Sequence, residues 1–187
     1  DFHSLFLTKG GSVLSCGWGV DGEDSALGLG DEEKRLVPKL IAGLEGRRVV
    51  QVAAGGFHSL FVTEGGAVLS CGNGTGGRLG HGDEEHQLVP KLVAALEGRR
   101  VVQVAAGAEH SLFLTEGAAA LSCGSGEVGR LGHGDVKNRL VPKAVSRHRL
   151  DWCTKSSCLP CWRKKALRSN LASVMYASID CLHAASR

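Results

Sequence analysis

The sequence predicts an all-β fold of about three four-stranded antiparallel units in series, followed by a non-repeat tail with a helical pattern. Three observations carry this. A block of about 52 residues recurs: Leu36-Val-Pro-Lys39 returns as Leu88-Val-Pro-Lys91 and Leu140-Val-Pro-Lys143, and residues 45–55 return unchanged as residues 97–107. Each block holds short runs rich in β-branched and aromatic residues, separated by Gly-containing connections. The 27 glycines fall at equivalent places in the blocks, marking turns rather than disorder. Repeats with periods near 20–50 residues build solenoids, propellers or arrays, because one unit cannot bury its own apolar face.

The second block shows the elements in order. His58-Ser-Leu-Phe-Val-Thr63 is an extended run, foreshadowed at His3 and repeated at His110. It is followed by Glu64-Gly-Gly66 and a second apolar run, Ala67-Val-Leu-Ser-Cys71, which together predict a β-hairpin. His58, Leu60 and Val62 then face one side of the sheet, and Ser59, Phe61 and Thr63 the other. Both faces are apolar, which requires a neighbour on each side. Residues 72–87 form a glycine-rich polar loop, and the next extended stretch carries Pro90, which places it at a sheet edge. Residues 99–107 give the fourth strand, narrowing to Ala105, Ala106 and Gly107, small residues that suit a crowded position near an axis. Glycines break every helical candidate in the block except residues 88–96. Four strands in a repeat of this length predict a β-propeller.

Bulk properties set limits. Residues 1–144 carry 14 Lys/Arg against 17 Asp/Glu, and residues 145–187 carry 8 against 2. The repeat body is therefore no basic footprint for nucleic acid. No apolar run reaches the roughly 18 residues of a membrane span. The chain opens on Asp1, and its one methionine is Met175, so a piece of a longer protein is expected.

Several separated motifs resemble the regulator-of-chromosome-condensation repeat family. They are Val52-Ala-Ala-Gly-Gly-Phe-His-Ser-Leu60 and its copy at residues 104–112, the Cys-Gly-x-Gly steps at Cys71 and Cys123, and the Leu-Gly-x-Gly-Asp turns beginning at Leu27, Leu79 and Leu131. The resemblance covers residues 1–145, divided into units of about 1–55, 56–107 and 108–145; residues 146–187 form the basic, Cys-containing tail. It implies a seven-bladed ring of four-stranded blades. The chain starts at a His-Ser-Leu strand, and Cys153-Thr-Lys-Ser stands where the third unit's Val-Val-Gln-Val strand falls due. The arc is thus expected to start and stop inside a blade. Its open blade faces then belong to a longer ring or take part in self-association.

The candidate sites are structural or interactive rather than catalytic. His58 and His110 recur with Gly55 and Gly107, and Cys71 recurs as Cys123; such repetition marks structural positions. Cysteines in separate blades stand too far apart for a disulfide and suit a reducing compartment. Asp31, Asp83 and Asp135 close the glycine turns and should bond nearby backbone amides. With Glu32, Glu33, Glu84 and Glu85 they form a rim suited to a basic protein partner. In the tail, Cys153, Cys158 and Cys161 are weak zinc candidates, because only one close Cys pair is present. Leu167, Leu171, Val174, Met175, Ile179 and Leu182 fit a helical stripe there.

No phosphate-cradling loop, nucleophile elbow or zinc-protease helix occurs. The reading is a non-catalytic, intracellular propeller module for protein–protein interaction, cytoplasmic or nuclear, with no cofactor. The resemblance implies one alternative, guanine nucleotide exchange on a Ran-like small GTPase, and an analogy to nucleic-acid or chromatin association. Exchange requires a wedge, and the length difference between units is three residues around Val20 to Ser25. Ultraviolet-sensing relatives use clustered tryptophans, whereas the repeats hold Trp18 alone; ubiquitin-ligase relatives carry a separate catalytic domain.

Overall fold

The computed structural model describes residues 3–18 and 26–146. The insertion around Val20 to Ser25 and the tail, with its helical stripe and cysteines, lie outside them.

Eleven strands are described: β1 (His3–Leu7), β2 (Val13–Gly17), β3 (Arg35–Leu40), β4 (Val49–Ala54), β5 (His58–Thr63), β6 (Val68–Gly72), β7 (Gln87–Leu92), β8 (Val101–Ala106), β9 (His110–Thr115), β10 (Ala120–Gly124) and β11 (Arg139–Ala144). They form three antiparallel sheets, β1-β2-β3, β4-β5-β6-β7 and β8-β9-β10-β11. The all-β propeller-blade architecture is therefore as the sequence predicts. The predicted hairpin is β5–β6, and Pro90 lies in β7 at the edge of its sheet. The one helical candidate becomes a strand followed by a single 3-10 turn, Ala94–Leu96.

Sheet and sequence unit are out of step by one strand. β4 closes the first unit in sequence but pairs with β5 of the second, with Val52 opposite Phe61. β8 likewise pairs with β9, Val104 opposite Phe113. This corrects the expectation that the arc stops inside a blade. The last sheet has its four strands, and the strand not found at residue 153 would open a following sheet instead. Among the described residues it is the first sheet that has three strands.

The sheets stack through their alternating faces. Leu60 and Val62 of β5 pack with Val104 and Phe113 of the third sheet. Phe61, between them in sequence, points the other way and packs with Val13 and Ile41 of the first unit. Period-two alternation thus divides one strand between two cores. Burying each such side chain contributes about 1.5–3 kcal/mol. A further clasp joins the first strands of neighbouring sheets. Gln51 donates from Nε2 to the Val104 carbonyl and accepts from the Val104 amide, both at 3.1 Å. Its side-chain amide takes the place of a backbone neighbour.

Two turns depart from the glycine rule of the other units. Ala118 has φ 57° where Gly11 and Gly66 stand in the equivalent hairpins, and Val128 has φ 51° where Gly76 stands. For a β-branched side chain this left-handed backbone is costly. Val128 is 90% exposed, so replacing it sacrifices little burial. Val128→Gly is expected to raise the unfolding free energy by about 1 kcal/mol in urea titration, and Gly76→Val to lower it by a similar amount.

Candidate functional site

The repeated His and Ser residues meet between sheets. His58 Nε2 lies 2.8 Å from Ser111 Oγ, and Ser111 donates its proton to the Arg78 carbonyl at 2.6 Å. His3 reaches Ser59 at 2.8 Å, and Ser59 donates to the Ala26 carbonyl at 2.7 Å. A hydroxyl has one proton, and here the carbonyl takes it; the imidazole must therefore donate from Nε2 and keep Nδ1 bare. The Nδ1 atoms of His3, His58 and His110 have no partner, in keeping with that tautomer. A second relay runs within the second and third sheets. Ser70 donates to the Leu79 carbonyl at 2.8 Å and accepts from His81 at 3.0 Å, and Ser122 treats Leu131 and His133 alike. In the first unit Ser15 donates to the Leu27 carbonyl at 2.8 Å, and Leu29 takes the place of the histidine.

These groups are chemically quenched. Burial, reinforced by the charge of Arg78, pushes His58 down to about 3, and burial pushes His3 down to about 4. Burial raises the Cys71 thiol far above its ordinary range and Cys123 to about 12. Both thiols are 0% exposed and lie 3.7 Å from the carbonyls that the serines use, Ala26 for Cys71 and Arg78 for Cys123. Neither of these two thiols is held as a thiolate, and neither His3 nor His58 is held as a cation. Gly55 and Gly107 leave room for the rings: a Cβ at Gly55 would stand 2.7 Å from His58 Cε1 and 2.6 Å from the Gly107 carbonyl.

The acidic residues singled out in the sequence, Asp31, Glu32, Glu33, Asp83, Glu84, Glu85 and Asp135, fall at one end of the sheets. Antiparallel order places the loops 26–34, 73–86 and 125–138 at this end, and the turns 8–12, 64–67 and 116–119 at the other. Asp31, Asp83 and Asp135 accept from the amides of Glu33, Glu85 and Lys137 at 3.2, 3.2 and 3.0 Å, the local bonds expected of them. Sequence reasoning missed their second partners. Arg35 and Arg139 each bond the aspartate four residues earlier at 2.6 Å, and Arg35 also holds Glu33 at 2.7 Å. Lys91 approaches Asp83 at 4.0 Å. The amide bond from Lys137, with Arg139 second, lowers the Asp135 carboxyl below its ordinary range. Glu32, Glu84 and Glu85 remain exposed, with no ion pair among the described residues. At the same end Trp18, 40% exposed, lies beneath Lys34 Nζ at 3.6 Å from its ring centre.

Gln51 was also missed, although its return as Gln103 was a visible signal. Among the described residues no His, Cys, Asp and Glu group could hold a metal, and no helix is long and apolar enough to cross a membrane. Cys153, Cys158 and Cys161 lie outside those residues.

Four-stranded sheets stacked through a repeated His–Ser bond define a propeller-blade repeat protein. The regulator of chromosome condensation (RCC1) repeat matches residues 10–62 and 65–114, and a second form of that repeat matches 49–78 and 101–130. The chain belongs to the RCC1 repeat family. Human E3 ubiquitin-protein ligase HERC2 is 44% identical over 145 residues, which is 76% of this chain and 3% of HERC2. The ultraviolet-B receptor UVR8 of Arabidopsis thaliana is 42% identical over 145 residues, 77% of this chain and 32% of the receptor. The chain thus spans a third or less of these relatives. Among solved structures, Prp20p of Saccharomyces cerevisiae superposes with a TM-score of 0.69 at 25% identity, covering 78% of this chain and 36% of that one.

The quenched histidines make stability depend on pH. Their folded-state pKa lies below the unfolded value of 6.5, so the unfolded chain takes up protons first. Their contribution is complete above about pH 6.5 and drains away as pH falls from there towards 3 to 4. Between pH 7 and 5 each is expected to cost about 2 kcal/mol. Chemical denaturation across that range should show a shallower loss in His58→Gln, which keeps a donor for Ser111 and does not titrate.

Proposed function

We propose that this chain is a non-catalytic module that presents its acidic loop end to a basic protein partner. The observation that supports it most is the division of labour: the repeated His, Ser and Cys side chains are spent between and within sheets, while Glu32, Glu84 and Glu85 stand exposed on one end. A surface of exposed carboxylates suits lysine- and arginine-rich segments. The solved structure of Prp20p was described with its binding to Gsp1p and histones, and another holds yeast RCC1 (Prp20) bound to Kap60. Those partners belong to that protein; they support protein binding as the use of this kind of surface. The three free thiols of Cys16, Cys71 and Cys123 support a reducing, intracellular setting, cytoplasmic or nuclear.

A second reading, nucleotide exchange on a Ran-like small GTPase, draws on the likeness to Prp20p with its binding to Gsp1p. A GTPase of this type whose nucleotide release is unchanged by excess of the chain would remove it. For the leading reading, the triple variant Glu32→Lys/Glu84→Lys/Glu85→Lys should weaken binding to histones at least tenfold by calorimetry, with its unfolding midpoint unchanged. Arg47→Glu/Arg99→Glu, at the opposite end, should leave binding within twofold. Equal losses in both variants, or no histone binding by the parent chain, would overturn the assignment to the acidic end.

A further inference from the structure

Lys34, His86 and Asn138 occupy one repeat position, each shortly after the aspartate that closes its glycine turn. Lys34 lies over Trp18. The other two do one job: His86 Nδ1 accepts the Gly74 amide proton, and Asn138 Oδ1 that of Gly126, both at 3.0 Å. Each acceptor atom is bonded to its own Cγ, so ring and amide reach the backbone from the same place. They differ in one respect. The amide oxygen keeps its lone pairs at every pH, whereas Nδ1 accepts only while the imidazole is neutral with its proton on Nε2.

The bond from His86 lies where the acidic backbone closes on the start of its loop. A Cβ on Gly74 would collide with the Glu85 carbonyl oxygen and stand 2.7 Å from the Glu84 carbonyl carbon. The start of the loop is anchored elsewhere: Asn73 N donates to the Phe57 carbonyl, and Gly77 N to the Gly74 carbonyl, both at 2.9 Å. His86 thus ties the Glu84–Glu85 stretch to a fixed point, helped by the Glu85 amide bond to Asp83 at 3.2 Å. The second sheet packs between the first and the third, so this loop has both of its neighbours.

The charges around the imidazole are of both signs. Its own loop carries Arg78, Asp83, Glu84 and Glu85, and Lys91 of β7 lies 4.0 Å from Asp83. The loop before it carries Glu32 and Lys34 beside the pairs of Arg35, and the loop after it Lys137 beside the Asp135–Arg139 pair. Asp21, Glu23 and Asp24 belong to the insertion outside the described residues. His81, on the same loop, donates to Ser70 at 3.0 Å, a bond that a second proton leaves in place.

We propose that His86 is a proton-sensitive pin, holding the second acidic loop in its binding shape while neutral and releasing it when protonated. This rests on the acidic end being the binding surface and adds its regulation. Protonation acts twice: it sets N–H against the Gly74 N–H, and it adds a cation to a surface that selects cations. A basic partner is held near neutral pH and let go as pH falls through the imidazole range, from about 8 to about 5.

Amide resonances of the full 187-residue chain separate the two loops. Between about pH 7.5 and 5.5 the Gly74 resonance should shift, and its hydrogen exchange, corrected for the intrinsic pH effect, should quicken at least tenfold. Gly126 should stay within twofold. His86→Asn supplies the acceptor that the third unit already uses, so the loop should fold and Gly74 should become as indifferent to pH as Gly126. Asn138→His should transfer the dependence to Gly126. Histone binding by calorimetry should weaken roughly fivefold over this window in the parent chain and stay within twofold in His86→Asn. Both chains contain His3 and His58, so the effect of those residues on global stability cancels in the comparison. Gly74 behaving like Gly126 in the parent, or still titrating in His86→Asn, overturns the proposal. So does histone affinity that falls equally in both chains. A parent chain that binds no histone at either pH overturns the assignment of the acidic end instead, and the two amides then decide for or against the pin by themselves.

Discussion

The hydrogen bond from His to Ser across neighbouring sheets is the constraint on which the stack depends. It works because the serine proton is already committed to a backbone carbonyl, of Ala26 or of Arg78. That commitment fixes the imidazole tautomer, and the tautomer fixes the ring's orientation. The ring in turn excludes any side chain from Gly55 and Gly107. Around this polar axis the alternating Leu, Val and Phe side chains are dry, and a charged imidazole there would be uncompensated. A short relay thus sets both the spacing of the sheets and the protonation state in which they are stable.

The one-strand offset makes the arc more than a row of beads. β4 belongs in sequence to the first unit and in space to the second sheet, so no unit of sequence folds as a closed sheet. Each boundary between sheets is crossed by the chain, by an imidazole–serine bond and, between the second and third sheets, by the Gln51 amide. Units joined in this way share stability with their neighbours, as nearest-neighbour coupling in repeat proteins requires.

Much of this was legible in the sequence. The period gave strand number and turn positions, and alternation gave the two faces of β5. Asp at the end of a glycine turn gave the local amide bonds. Phase was hidden, because a period of 52 residues does not say which sheet a strand joins; pairing decides that, and β4 looks like the end of one unit as readily as the start of the next. The acidic rim was also read too simply. Arg35 and Arg139 lie four residues after Asp31 and Asp135, a helical spacing for a salt bridge, yet it is the loop's curl into the outer strand that brings each guanidinium back. Gln51 offered only its recurrence, since an amide in a strand usually faces water.

The positions at which the units differ bear most directly on function. Residues that join the sheets are nearly the same in each unit, so they cannot distinguish one part of the arc from another. At the acidic end the units diverge. Trp18, Asn73 and Ser125 follow the same glycine step; Lys34 covers Trp18, whereas His86 and Asn138 pin the Gly74 and Gly126 amides at 3.0 Å. Phe57 lies beneath the Arg78 guanidinium, and its counterpart Glu109 instead forms an ion pair with Arg130 at 2.7 Å. One scaffold therefore presents three chemically different surfaces in a row: aromatic and cationic, then imidazole-bearing, then ion-paired. Selectivity for a partner must be read from that sequence of surfaces, because the framework beneath it is uniform.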